Sequence, residues 1–214
     1  MTDRRELLAR SRLYFITDLR PDIGSVLDAA LDGGVDMVQL RDKRAPDDEL
    51  LEAAALFRSL CYEHGALFWL NDRPDLALRA RADGVHVGQD DQPVQAVREQ
   101  VGPDLLVGLS THSPQQLQSA LDAGVDEISV GPVFETPTKE GRPAAGLGYV
   151  RHAARAAGER PWFAIGGIDL DNVDAVTEAG ARRLAVVRVL RDAPDPAAVA
   201  AALRSRLEPV PVDG

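Results

Sequence analysis

The stretch DAGVDEISV at 122–130 joins a helix end to a buried strand, and the same joint recurs as DGGVDMVQL at 32–40, RADGVHV at 81–87 and EAGARRLAV at 178–186. In each, a glycine stands where a helix is expected to stop, because glycine tolerates the left-handed cap conformation. Val, Met, Ile or Leu suited to a buried strand follow at once. Four such joints describe a chain that alternates helix and strand.

Working outward from these joints, eight short apolar runs each lead into polar or glycine-rich residues. Tyr14-Phe15-Ile16 precedes Thr17-Asp18, Met37-Val38 precedes Gln39, Arg41 and Lys43, and Phe68-Trp69-Leu70 precedes Asn71-Asp72. Val85-His86-Val87 leads into Gln89, Asp90 and Asp91, and Leu105-Leu106-Val107 into Ser110, Thr111 and His112. Ile128-Ser129-Val130 leads into Thr136, Thr138 and Lys139, Phe163-Ala164-Ile165 into Gly166-Gly167, and Leu184-Ala185-Val186-Val187 into Arg188. Short apolar runs alternating with helical segments mark parallel strands buried on both faces. Eight such units predict an α/β protein, a single (β/α)8 TIM barrel of eight parallel strands over residues 1–214. Its chemistry is expected in the loops past the strand C-termini. The charged start, 1–11, and the Pro-rich end, 208–214, are expected to fray.

The 214 residues suffice for one sizeable core and sit near the short end for such a barrel. The start lacks a secretory apolar stretch, and no run approaches the roughly 18 apolar residues of a membrane span. The expectation is a soluble, cytoplasmic protein. A lone Cys61 excludes intrachain disulfides and cysteine zinc sites, and it reads as a small buried hydrophobe. A net charge of -10 argues against nucleic-acid or anionic-membrane partners, which need a basic footprint. Against that acidic background, Arg41, Lys43, Lys139 and Arg188 would put cations at one mouth, an arrangement suited to a small, multiply charged anion. Homo-oligomerisation is left open.

Arg41 and Lys43 in VQLRDK offer a planar fork and a mobile point charge for phosphate oxygens, although RDKR also reads as a solvated charge run. Asp72 and Asp91 follow neighbouring strands. Two carboxylates so placed suit Mg²⁺, which takes oxygen ligands and is completed by substrate phosphates and water. The alternative for each is a helix cap, Asp72 before Pro74 and Asp91 before the helix after Pro93, with Asp90 available as the second cap. His64, His86, His112 and His152 show no zinc-ligand spacing. His86, inside a strand, reads as a packed core residue, and Ser113-Pro114 beside His112 reads as a helix start. The long loop GPVFETPTKEGRPAAGLGY supplies Thr136, Thr138 and Lys139 to hold phosphate, and Gly166-Gly167 with Val187-Arg188 occupy the places where barrels bind phosphate through backbone amides.

From YFITD at 14–18 to AVVRVL at 185–190 the chain resembles the thiamine-phosphate synthase family, through VQLRDK, NDRPDLAL, ADGVHVGQDD, GLSTHS, VGPVFETPTKEG, AIGGI and AVVRVL in that order. The resemblance implies condensation of 4-amino-2-methyl-5-(hydroxymethyl)pyrimidine diphosphate with plain or carboxylated thiazole phosphate. The implied mechanism is dissociative: diphosphate leaves, and the thiazole nitrogen attacks the resulting pyrimidine-methyl cation. It further implies that Gln39, Arg41, Lys43, Asn71, Ser110 and Lys139 hold the pyrimidine diphosphate, with Arg41, Lys43, Ser110 and Lys139 as the catalytic set. By the same resemblance Asp72 and Asp91 hold Mg²⁺, and Thr136, Pro137, Thr138, Gly167, Val187 and Arg188 contact the thiazole phosphate. Arg188 departs from the small residue many relatives carry, and Pro74 from an aliphatic one. A thiazole tautomerase-like isomerase and a non-catalytic thiazole-phosphate sensor are the alternatives. A Schiff-base aldolase fits poorly, since Lys43 and Lys139 lie among charges and hydroxyls.

Overall fold

In the computed structural model, which describes residues 3–136 and 143–207, eight strands form one closed, wholly parallel barrel in sequence order. They are β1 (Leu13–Thr17), β2 (Met37–Leu40), β3 (Leu67–Asn71), β4 (Gly84–Val87), β5 (Leu106–Thr111), β6 (Glu127–Val130), β7 (Trp162–Ile165) and β8 (Leu184–Val186). β8 returns to β1 with Leu13 opposite Leu184. Between and around them run α1 (Arg4–Arg10), α2 (Ile23–Asp32), α3 (Asp47–Glu63), α4 (Pro74–Ala77), α5 (Val94–Val101), α6 (Pro114–Asp122), α7 (Gly146–Ala156), α8 (Val173–Glu178), α9 (Arg188–Arg191) and α10 (Pro196–Ser205). Among the described residues no helix is long and apolar enough to cross a membrane.

Strand side chains alternate between two cores, as the two-residue strand period requires. Phe15, Val38, Phe68, Val85, Val107 and Ile128 belong to the cluster packed against the helices. Tyr14, Met37, Trp69, Leu106, Phe163 and Ala185 form a smaller cluster inside the barrel. Leu8 of α1 joins this inner cluster and is 2% exposed. Residues 4–10 are therefore a docked helix, capped by Asp3 accepting from Arg5 N–H, and not the frayed start expected of 1–11. Apolar contact with the barrel floor overrides the charged composition. Residues 208–214 lie outside the described residues.

Three of the four glycine joints stop helices as expected, with positive φ at Gly34, Gly124 and Gly180. The joint at 81–87 differs. There Arg81 carries the positive φ, and Gly84 is already the first residue of β4, packed against the Trp69 indole, where a Cβ would come within 2.6 Å of ring carbon. The fifth strand also runs later than Leu105–Val107, so Ser110 and Thr111 belong to the strand and not to its loop. Cys61 is buried in α3, and desolvation followed by the nearby Asp83 charge pushes its thiol pKa up.

Candidate active site

The loop after β2 is built around Asp42. Its carboxylate accepts from Arg44 N–H at 2.9 Å, Ala45 N–H at 3.1 Å and Leu19 N–H at 3.3 Å. Burial alone would raise the Asp42 pKa, but these backbone donors and the Arg44 charge bring it below the ordinary value. Arg41 N–H donates to Thr17 O at 2.8 Å, tying the loop to β1. The aspartate of RDK thus shapes the turn, and the flanking Arg41 and Lys43 line a cavity.

Lys43 Nζ reaches Asp72 Oδ2 at 2.8 Å. Asp72 sits past β3 with φ 58°, a left-handed conformation uncommon for a non-glycine residue and concentrated at functional positions. Its N–H continues the ladder to His86 O at 2.8 Å. Burial works against its charge. The Lys43 hydrogen bond and charge, a hydrogen-bond contact with the Asp91 side chain and the Arg41 charge outweigh that and lower its pKa. Neither aspartate caps a helix: Arg73 and Pro93 hold the N-cap positions of α4 and α5, without side-chain capping bonds. Asp91 Oδ2 instead accepts from Gly88 N–H at 2.7 Å, which aims it at the end of β4. Among the described residues no cluster contains three or more His, Cys, Asp or Glu placed to hold a metal ion. The donor set of Asp72 and Asp91 is two neighbouring carboxylates with oxygen atoms only. That set fits a hard divalent cation completed by water and substrate oxygens.

Among the described residues two cavities open at this end. One of about 800 Å³ is lined by Thr17, Arg41, Lys43, Val187, Arg188 and Arg191, among others. The other, about 290 Å³, is lined by Thr136, Gly166, Gly167, Ala185, Val187 and Arg188, among others. Val187 and Arg188 belong to both linings. Gly166 and Gly167 have φ of 107° and 67°, and a Cβ on either would press on Pro132 or Phe134 of the loop after β6. These positions need glycine both for conformation and for the close approach of the two loops. Pro137, Thr138 and Lys139 lie outside the described residues.

Deeper in the barrel, Gln39 is 1% exposed and its Nε2 donates to the Tyr14 hydroxyl. Asn71 ends β3 opposite His86. Ser110 Oγ lies 2.9 Å from His86 Nε2, and Ser110 O accepts from Gln89 Nε2 at 2.7 Å. His86 is buried, as its strand position suggests, but it is a bonded group: Nδ1 lies 2.8 Å from Glu127 Oε2. Ser113 caps α6 as expected, accepting from Gln116 N–H, and the His112 ring bonds Gly131 O. Sequence reasoning passed over Glu127 and Asp42. The signal for Glu127 is a carboxylate opening the strand run EISV where an apolar residue is the rule.

A closed β/α barrel whose strand ends gather Arg41, Lys43, Arg188, Asp72 and Asp91 around a glycine-walled cavity has the form of a barrel enzyme of small molecules. The chain belongs to the thiamine monophosphate synthase family, whose model matches residues 13–190, and it is accordingly a transferase. It is 55% identical over 204 residues to a thiamine-phosphate synthase of Acidothermus cellulolyticus, covering 94% of this chain and 96% of that protein. It is 50% identical over 204 residues to the Nostoc sp. protein of the same name, covering 95% of this chain but 58% of that longer protein. Among solved structures, a thiamine phosphate pyrophosphorylase from Pyrococcus furiosus superposes with TM-score 0.85 at 34% identity, covering 94% of this chain and 96% of that one.

Proposed function

We propose that this chain couples 4-amino-2-methyl-5-(hydroxymethyl)pyrimidine diphosphate with plain or carboxylated thiazole phosphate in the cytoplasm, yielding thiamine phosphate and diphosphate and, from the carboxylated substrate, carbon dioxide. The observation that carries the reading is the pair of cavities sharing a wall at Val187 and Arg188, one with Arg41 and Lys43, the other with Gly166 and Gly167. Two anionic substrates that must meet need two such adjoining sites.

In this reading Arg41, Lys43 and Lys139 hold the diphosphate and stabilise the charge that grows on it as the carbon–oxygen bond breaks. Both bonding electrons leave on the diphosphate oxygen, and the thiazole nitrogen lone pair forms the new carbon–nitrogen bond. No general base is needed for that exchange. Thr136, Pro137, Thr138, Gly167, Val187 and Arg188 hold the thiazole phosphate, while Gln39, Asn71 and Ser110 hold the pyrimidine. Asp72 and Asp91 would hold Mg²⁺, which when bound neutralises charge on the leaving diphosphate.

The test mixes the two substrates with and without Mg²⁺ and follows thiamine phosphate as fluorescent thiochrome. Mg²⁺-dependent product, reduced about 100-fold in Asp91→Ala, is expected. Absence of product with retained thiazole-phosphate binding would replace coupling by an isomerase or a sensor.

A further inference from the structure

β4, β5 and β6 set His86, Gly108 and Glu127 side by side in register. Glu127 is fully buried at 0% exposure, and His86 is 5% exposed. Glu127 Oε1 accepts from Ser129 Oγ–H at 2.9 Å, and Oε2 lies 2.8 Å from His86 Nδ1. The His86–Glu127 contact spans the intervening strand at Gly108, where a Cβ would lie 2.4 Å from Glu127 Oε2 and 2.6 Å from His86 Nδ1. The backbone is thus cut away to admit the pair. Parallel ladders already join all three strands, so the contact adds no connection that the sheet lacks. A buried carboxylate is a costly way to fill a barrel that apolar side chains would fill more stably.

We infer that Glu127 and His86 are positioning residues for the Ser110 hydroxyl, an inference that rests on the function proposed above. The inferred arrangement pairs a Glu127 carboxylate with a neutral His86 ring, so that His86 Nδ1–H donates to Glu127 and Nε2 accepts from Ser110 Oγ–H. With its hydrogen directed at His86, the Ser110 oxygen, next to last in β5, acts as an acceptor. That polarity suits positive charge developing on the pyrimidine-methyl carbon. Arg41 and Lys43, past the end of β2, take the opposite charge on diphosphate. The buried carboxylate and the cationic rim together favour charge separation along the breaking bond. No proton is transferred in this arrangement, so the chain of bonds acts through orientation and field.

The test is steady-state coupling by the full chain with Mg²⁺ in wild type, Ser110→Ala, Glu127→Gln and the double variant, with folding followed by thermal melting. Glu127→Gln is expected to lower kcat roughly 10- to 100-fold, as for outer partners of ligating histidines, with the KM for pyrimidine diphosphate little changed. The double variant is expected to be no slower than Ser110→Ala, because one group acts through the other. A Glu127→Gln protein that is folded and has wild-type kcat, or losses that multiply in the double variant, overturns the inference. If Glu127→Gln does not fold, His86→Gln and His86→Asn replace it. Gln can reach Ser110 from the place of Nε2 and is expected to retain more activity than Asn, which keeps only the Glu127 bond; equal losses overturn the inference. A wild type that forms no coupled product overturns the proposed function and this inference with it, whereas an active wild type beside an unaffected Glu127→Gln overturns this inference alone.

Discussion

Lys43 Nζ and Asp72 Oδ2 lie 2.8 Å apart, so the lysine expected to grip diphosphate neutralises the aspartate expected to hold Mg²⁺. The Asp42-centred turn and the left-handed backbone at Asp72 bring them together from separate loops. In the proposed function, binding of a cation at Asp72 is therefore linked to release of Lys43 toward an anionic substrate.

That linkage predicts competition. The Lys43 side chain is 58% exposed, so its pairing contributes at most about 1 kcal/mol. Lys43→Met is expected to bind Mg²⁺ up to about fivefold more tightly in the substrate-free protein, and Asp72→Asn more weakly, by calorimetric titration. Coupling by Lys43→Met is expected to fall about 100-fold, since the leaving diphosphate loses a cation. Unchanged Mg²⁺ affinity in Lys43→Met would separate the two groups.

Gly108→Ala places a methyl group against Glu127 Oε2 and His86 Nδ1. Overpacking there is expected to cost about 1 to 3 kcal/mol, read from the urea midpoint. A variant as stable as wild type would mean that the pair shifts freely.

Leu8→Ala removes the apolar contact of α1 with the inner barrel cluster. The expected loss is about 2 to 5 kcal/mol, the range for truncating a buried leucine. A frayed segment would show no change in thermal or urea unfolding.

Alkaline pH is expected to loosen the fold through two tyrosines. Burial pushes the Tyr149 hydroxyl up to about 12, against a smaller opposing effect of its bond to Thr111 Oγ1. Burial and then the Glu127 charge raise Tyr14, with the Gln39 bond opposing them. Each folded-state pKa lies above its unfolded value, so between pH 10 and 12 the native state binds more protons than the unfolded state. The stabilisation is complete below pH 10 and is lost as pH rises through the folded value. Urea unfolding across this interval is expected to show falling stability, with a shallower slope in Tyr149→Phe.

Much of the architecture is legible in local pattern. The eight apolar runs correspond to the eight strands, and Gly34, Gly124 and Gly180 end helices as their sequence context implies. Gly84 misleads because a helix-stopping glycine and a glycine making room for Trp69 look alike in one dimension. Ser110 and Thr111 read as loop because polar side chains inside a barrel break the apolar run without ending the strand. The candidate site divides in the same way. Arg41, Lys43, Asp72 and Asp91 are marked by their places after strands, whereas Asp42 looks like one more charge in RDKR until its three backbone donors are seen.

By itself, then, the sequence determined the alternation of helix and strand, the cationic mouth on an acidic chain and the family to which it belongs, because these follow from periodicity, composition and short motifs. Only the tertiary structure decided which polar groups meet: Lys43 with Asp72, and Ser110 with His86 and Glu127. Those meetings depend on the register of parallel strands far apart in the chain and on burial inside a closed barrel. Neither is written in the neighbourhood of any one residue.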